Sequence, residues 1–312
     1  MKVAVCCTAA AILGACNQVL DLAPGTLASA RPSCEAGWQY RVPIDVLNAA
    51  SAALSDYQLL IPLPARTAIV DGKLSDVDLR FTTDGYDEPL RYVVEGPLDA
   101  PVAKVWVAAP SLAVGTTRLY AYYGNPMAPA WDGASPFVTG VLADPSFEHG
   151  GAWTVDPSPL GAVFQRSASW TTNGDLALAA DAEVGNNGAH DSLEATIRQQ
   201  VDFPQGSEYV IRFDLNVVAA SYNNNNGRFF VELGNGLDSL WSLEAVHSIT
   251  GEYRGIETRP FGGGSVPLTF GVGVWRGLGA GYAKGYFDHL RIRKHASPEP
   301  TVRVGAEESA CK

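Results

Sequence analysis

Runs of alternating apolar and polar residues, each ended by a turn signal, place the strongest limit on what this chain can fold into. Tyr40, Val42, Ile44 and Val46 alternate with Arg41, Pro43, Asp45 and Leu47. Side chains two residues apart share one face of a strand, so this pattern predicts a half-buried strand. Further strands are predicted at 57–63, 78–83, 90–95, 103–108 and 117–123. Asp71-Gly72, Asp84-Gly85, Gly96-Pro97 and Gly124-Asn125-Pro126 supply turns between them. The second half repeats the texture at 194–201, 209–217, 228–233, 240–246 and 268–275, with turns at Asn223 to Gly227 and Gly262 to Gly264. Glycine (32) and proline (20) are plentiful and charged residues make up only 18%, which suits short strands and tight turns rather than long helices. The expectation is an all-β chain of two antiparallel β-sandwich, jelly-roll-like domains at 37–138 and 141–296, with a C-terminal tail at 297–312.

The first residues follow another rule. Lys2 precedes an uncharged run, Val3 to Ala15, of 13 residues. That suits the apolar core of a signal peptide and is too short for a ~30 Å hydrocarbon layer. Leu13-Gly14-Ala15-Cys16 resembles the bacterial lipobox, in which the cysteine after the cleavage site carries lipid. Residues 1–15 are therefore predicted to be a lipoprotein signal peptide, Cys16 the lipidated anchor and 16–36 a flexible linker. Asn17 rather than aspartate follows the anchor, which favours the outer membrane or cell surface. Cys6 and Cys7 leave with the signal. Cys34 and Cys311 then remain, one near each end of the folded part. An oxidising compartment permits a disulfide between them. It requires Cα atoms within about 7 Å, so the domain termini must meet. Two unrelated thiols are the alternative.

Five separated motifs carry a family resemblance. Gly37-Trp38-Gln39-Tyr40-Arg41-Val42-Pro43-Ile44, Asp56-Tyr57-Gln58, Asp78-Leu79-Arg80-Phe81, Val105-Trp106-Val107 and Tyr122-Tyr123-Gly124-Asn125-Pro126 occur in order. Over about residues 37–133 the chain resembles the bacterial domain of unknown function 2341. The resemblance implies an extracytoplasmic β domain, often found beside sugar-binding modules, with no established activity. Later, Asp144-Pro145-Ser146-Phe147-Glu148 followed by Trp153 resembles the opening strand of carbohydrate-binding-module jelly rolls of the galactose-binding-like kind. Tyr286-Phe287-Asp288-His289-Leu290-Arg291-Ile292 resembles their closing strand. That likeness implies a structural calcium ion (Ca2+) shared by Glu148 and Asp288, with Asp144 and Asp181 as further ligand candidates. The other reading has both carboxylates solvated or bonded to backbone turns.

The formal net charge of −11 argues against nucleic acid as a partner and against electrostatic attraction to anionic lipid. The sequence holds no H-E-x-x-H, G-x-S-x-G, Walker or C-x-x-C motif, so no catalytic residues are assigned. The best carboxylate pair for a glycosidase, Glu232 with Glu244, is a poor one. Sugar binding needs aromatic faces with amides or carboxylates nearby. Trp170, Tyr222 and Trp241 are the candidates, while Trp38, Trp106 and Trp153 sit inside strand motifs and read as core. The leading expectation is a non-catalytic cell-surface lipoprotein, tethered to a membrane by lipid. It would bind extracellular polysaccharide or a surface partner through the jelly roll. A structural or adhesion lipoprotein with protein partners only is the alternative, and a secreted glycoside hydrolase ranks third.

Overall fold

The computed structural model describes residues 37–64, 79–83, 88–97, 100–131, 133–156, 162–184, 192–221, 226–234, 238–245, 249–275 and 281–310. The signal peptide, the linker, Cys16, Cys34, Cys311 and Tyr222 lie outside them. The first sandwich is built from β1 (Tyr40–Asn48), β2 (Leu54–Pro64), β3 (Arg80–Thr83), β4 (Tyr92–Glu95), β5 (Val102–Leu112) and β6 (Gly115–Tyr123). The jelly roll follows with β7 (Thr154–Asp156), β8 (Val163–Ser167), β9 (Ala177–Val184), β10 (Ser192–Ser221), β11 (Asn226–Leu233), β12 (Asp238–Ala245), β13 (Ile249–Glu257), β14 (Phe261–Trp275) and β15 (Gly281–His295). Two short strands close the chain, β16 (Thr301–Val304) and β17 (Glu308–Ser309).

In the first sandwich, β16, β1, β6 and β3 form one antiparallel sheet, with β17 also on β1, and β2, β5 and β4 form the other. The alternation read from β1 holds: Val42, Ile44 and Val46 are fully buried, while Leu47 falls on the outer side and is exposed. Their partners across the core include Tyr57, Leu59, Ile61, Val105 and Val107. The tail is not a separate segment. Val302 and Val304 pack against this core, and Ile44 pairs with Val304 and Leu47 with Thr301. The first sandwich is thus closed by residues that follow the second in sequence.

The jelly roll has two layers linked by β10. Thirty residues at about 3.3 Å each would span roughly 100 Å if straight, so this strand must bend. It does so at the irregularity between Phe203 and Glu208. Its first half pairs with β14 and β7, giving a layer β7–β10–β14–β11–β12. Its second half pairs with β15 and β13, giving a layer β13–β10–β15–β9–β8. Phe213, Phe229, Phe270 and Phe287 meet between the layers, with ring centroids 5.3 Å apart for Phe270–Phe287 and 5.7 Å for Phe213–Phe270. Burying each such ring contributes about 1.5–3 kcal/mol.

Candidate functional site: the glycine-floored face of the jelly roll

The outer face of the β13–β10–β15–β9–β8 layer is largely taken. At one end it meets the first sandwich. Glu95 accepts hydrogen bonds from Arg212 Nη2 at 2.6 Å, Arg291 Nη2 at 3.3 Å and Trp106 Nε1 at 3.1 Å. The Arg212 guanidinium lies 5.3 Å above the Trp106 ring, and Trp106 packs on Phe137. The backbone N–H of Lys294 donates to Gln58 Oε1 at 2.8 Å. Glu257 takes Arg293 with both oxygens, at 3.1 and 2.8 Å. Burial acts to raise the carboxyls of Glu95 and Glu257, but hydrogen bonds and charge from Arg212 and Arg293 outweigh it and hold both below the ordinary range. A cleft of about 490 Å³ remains along this seam, lined by Trp106, Arg212, Glu257, Arg293 and Glu299 among others. Its cations and anions are already matched to one another.

The middle of the same face lies under the segment 168–176. Asp288 Oδ2 accepts the backbone N–H groups of Thr172 and Asn173, at 2.5 and 3.0 Å, and Oδ1 accepts that of His289. Burial nevertheless pushes the Asp288 carboxyl up. Glu148 Oε1 accepts the N–H groups of Asp175 and Leu176, both at 3.0 Å. The two carboxylates expected to share calcium therefore do converge, but on one loop that turns N–H donors toward them. Calcium takes six to eight oxygen ligands. Among the described residues no three His, Cys, Asp or Glu side chains cluster closely enough to hold a metal. This donor set does not fit the ion; it is the backbone-bonded alternative. Asp144 and Asp181 do not complete it, since Asp144 Oδ2 is turned to the His149 N–H at 3.0 Å and Asp181 pairs with Lys284. Nearby, Asp214 is pulled down to about 2: burial opposes ionisation, and His289 and the Gly255 N–H more than compensate.

The outer face of the other layer is differently made. Its inward residues are Leu193, Ala195 and Ile197 on β10, Phe270, Val272 and Val274 on β14, and Phe229, Val231 and Leu233 on β11. The residues between them must point outward. The register then sets three cross-strand rows. Glu194, Gly273, Arg228 and Glu244 form one; Thr196, Gly271, Phe230 and Ser242 the next; Arg198, Thr269 and Glu232 the third. The central strand β14 contributes no side chain at 271 and 273, so a trough runs along it. Phe230 and Glu194 lie over it: a Cβ on Gly271 would stand 1.9 Å from the Phe230 ring and one on Gly273 2.8 Å from Glu194 Cγ, and both glycines are buried. Arg228 lies 4.3 Å above the Phe230 ring and pairs with Glu232 at 3.2 Å and Glu194 at 3.7 Å. Phe230 is only 2% exposed, so it supports Arg228 rather than offering a stacking surface. Glu194, Arg198, Gln200, Ser242 and Glu244 are exposed along the flanks. A guanidinium between two carboxylates can donate to vicinal hydroxyls while the carboxylates accept from them.

The candidates from sequence fall elsewhere. Trp170 is half-buried on the covered face, where its N–H donates to Glu252 at 3.0 Å, Arg254 lies 4.9 Å over its ring and Tyr286 packs beside it. Trp241 is corrected from ligand contact to core: it sits opposite Val231 on the inward side of β12, edge-on to Phe213 at 5.2 Å. Tyr222 lies outside the described residues. Of the carboxylate pair Glu232/Glu244, Glu232 belongs to Arg228, and the two glutamates fall in different rows. Sequence reasoning missed Arg228 and Glu194. Their signal was the alternation Arg228-Phe229-Phe230-Val231-Glu232 set against Gly271-Val272-Gly273-Val274, which pairs large outward side chains with none.

No curated protein compared with this chain matches it. Among solved structures, the chain is similar to TmCBM61 in complex with beta-1,4-galactotriose, at 17% identity over 50% of this chain and 99% of that one, with a TM-score of 0.28. It is similar to the CBM22-1 xylan-binding domain from Paenibacillus barcinonensis Xyn10C, at 19% identity over 49% and 94% and a TM-score of 0.29. The tandem CBM22-1–CBM22-2 domain from the same protein aligns over 83% of this chain and 79% of that one, at 13% identity and a TM-score of 0.30. Residues 75–142 match the family model described as domain of unknown function DUF2341.

Proposed function

We propose that this chain is a non-catalytic surface lipoprotein whose jelly roll binds extracellular glycan along the Gly271–Gly273 trough. The observation that carries the reading is the outward-facing Glu194–Arg228–Glu232 arrangement on this layer. A sugar chain laid there would meet the guanidinium of Arg228 as donor and the carboxylates of Glu194 and Glu232 as acceptors. Affinity electrophoresis of the protein through gels containing mannan, xylan or galactan is the direct test. At least one polysaccharide retards the wild type, and Arg228→Ala loses about tenfold or more, the worth of a charge-assisted hydrogen bond. Failure of every glycan to retard it, while a surface protein co-purifies, would favour the adhesion reading instead.

The tether belongs to the same proposal. Cys16 carries lipid, and Cys34 pairs with Cys311. The support for the pair is that Tyr40 pairs with Ser309 and the Ala310 N–H donates to Gln39 O at 2.9 Å, so the chain five residues after Cys34 runs beside the residue that precedes Cys311. Labelled palmitate should enter the protein and be lost from Cys16→Ser; a thiol count of two in the unreduced, mature protein would refute the disulfide.

A further inference from the structure

A second cavity, of about 220 Å³, opens at the edge of the jelly roll between β7 and β8, away from the trough. Its floor is apolar: Phe147, Phe164, Leu178 and Ile197 are buried there, and Trp153 packs beside Phe147 at 5.4 Å. The turn that shapes it is bound on itself. Asp144 and Phe147 both take left-handed backbone angles, with φ of 52° and 60°. The Asp144 carbonyl accepts the Trp153 indole N–H at 3.1 Å, and Asp144 Oδ2 accepts the His149 N–H at 3.0 Å.

Two charges line this cavity and neither is matched as those of the seam are. The Asp144 side chain is only 6% exposed, and its Oδ1 is buried with no hydrogen-bond partner among the described residues. A buried oxygen without a donor costs about 1–3 kcal/mol, and more when ionised, which marks the place of a missing donor. His149 Nδ1 stands 3.5 Å away, on a side chain that is 85% exposed. Arg166 also lines the cavity, its guanidinium held by donation to the Glu148 carbonyl at 3.1 Å.

From these groups we propose that the cavity binds a zwitterionic α-amino acid with an apolar side chain. The ammonium meets Asp144 Oδ1 once His149 moves aside, the carboxylate meets Arg166, and the side chain lies on the Phe147–Trp153–Phe164 floor. A neutral sugar would leave both charges unmatched. A simple anion would face Asp144, and a simple cation would face Arg166. The site is independent of the glycan reading.

Calorimetric titration of the full chain with L-phenylalanine, 2-phenylethylamine and 3-phenylpropanoate separates these contributions. Binding of L-phenylalanine with each one-charge analogue about tenfold or more weaker is the expected result. Arg166→Gln should bring L-phenylalanine down to the affinity of the amine, with an unchanged melting curve. Asp144 also holds the turn through the His149 N–H, so the analogues and the Arg166 variant carry the test. Equal binding of all three compounds, or no binding of L-phenylalanine at millimolar concentration, overturns the proposal.

Discussion

Glu95→Gln is the sharpest probe of how the two sandwiches are joined. The carboxylate it removes faces two guanidinium groups that are poorly solvated: the side chain of Arg212 is 12% exposed and that of Arg291 is 8%. Breaking one partner of a buried pair costs about 3–5 kcal/mol, because the other charge is left without compensation. Arg212 keeps Glu257 at 3.4 Å and the Gly255 carbonyl at 2.8 Å, so the low end, about 3 kcal/mol, applies. The pH dependence gives an independent sign. The Glu95 carboxyl lies below its ordinary value of 4.5 in the folded state. A depressed carboxyl contributes stability that is fully present above its unfolded value and is lost as pH falls through the folded one. The stability gap between wild type and variant, measured by urea unfolding, should therefore be constant near pH 7 and close below pH 4.5. Glu257 and Asp214 also titrate in acid, but they do so in both proteins and cancel in the difference. The variant should in addition unfold in two steps, as the sandwiches lose their common seam. A gap under about 1 kcal/mol at pH 7, or one that persists unchanged into acid, would show that the seam is held by packing of Trp106 and Phe137 and not by charge.

Two further outcomes concern the loop at 168–176. Gly174→Ala should destabilise by about 1–2 kcal/mol or more, since position 174 holds φ at 74° and a Cβ there would stand 2.2 Å from Glu148 Oε1; a melting temperature within error of wild type would refute the clasp. The melting curve should be unmoved by EDTA and by added calcium, because N–H groups already occupy the Glu148 and Asp288 oxygens; a calcium-dependent rise would show that the loop rearranges to offer carbonyls instead.

Much of the fold was legible because a strand's period is a local property. The β1 pattern predicted which side chains go inward, down to the exposed Leu47 that falls on the wrong side of the alternation. Gly96-Pro97 falls between β4 and β5 and Gly124-Asn125-Pro126 follows β6, while the signals at 71–72 and 84–85 lie outside the described residues. What could not be read was any strand whose environment is set from outside it. β13 pairs with β10 yet buries little, so it carries no apolar alternation. β9 is an alanine-rich strand flattened between β15 and β8. The site was missed for a related reason. Aromatic residues mark sugar sites only when they point outward, and direction depends on register: Trp241 faces inward because it pairs with Val231, while Arg228 faces outward because it pairs with Gly273.

The two outer faces of the jelly roll follow from the bend in β10. A single strand crosses both layers, so a change in which side is polar in one half need not match the other. In the second half the outward positions are Arg212, Asp214 and Asn216. Arg212 and Asp214 are satisfied by the first sandwich, Gly255 and Arg254; they hold the molecule together. In the first half the outward positions are Glu194, Thr196 and Arg198, and their neighbours across the sheet are glycines and a threonine. Glycine in a central strand weakens it, by roughly 0.5–1 kcal/mol relative to alanine. Phe230 and Glu194 recover part of that by lying over Gly271 and Gly273. A chain selected for stability alone would fill those positions with β-branched residues. At 271 and 273 those side chains would displace the Phe230 ring and the Glu194 stem, the two groups against which Arg228 is set.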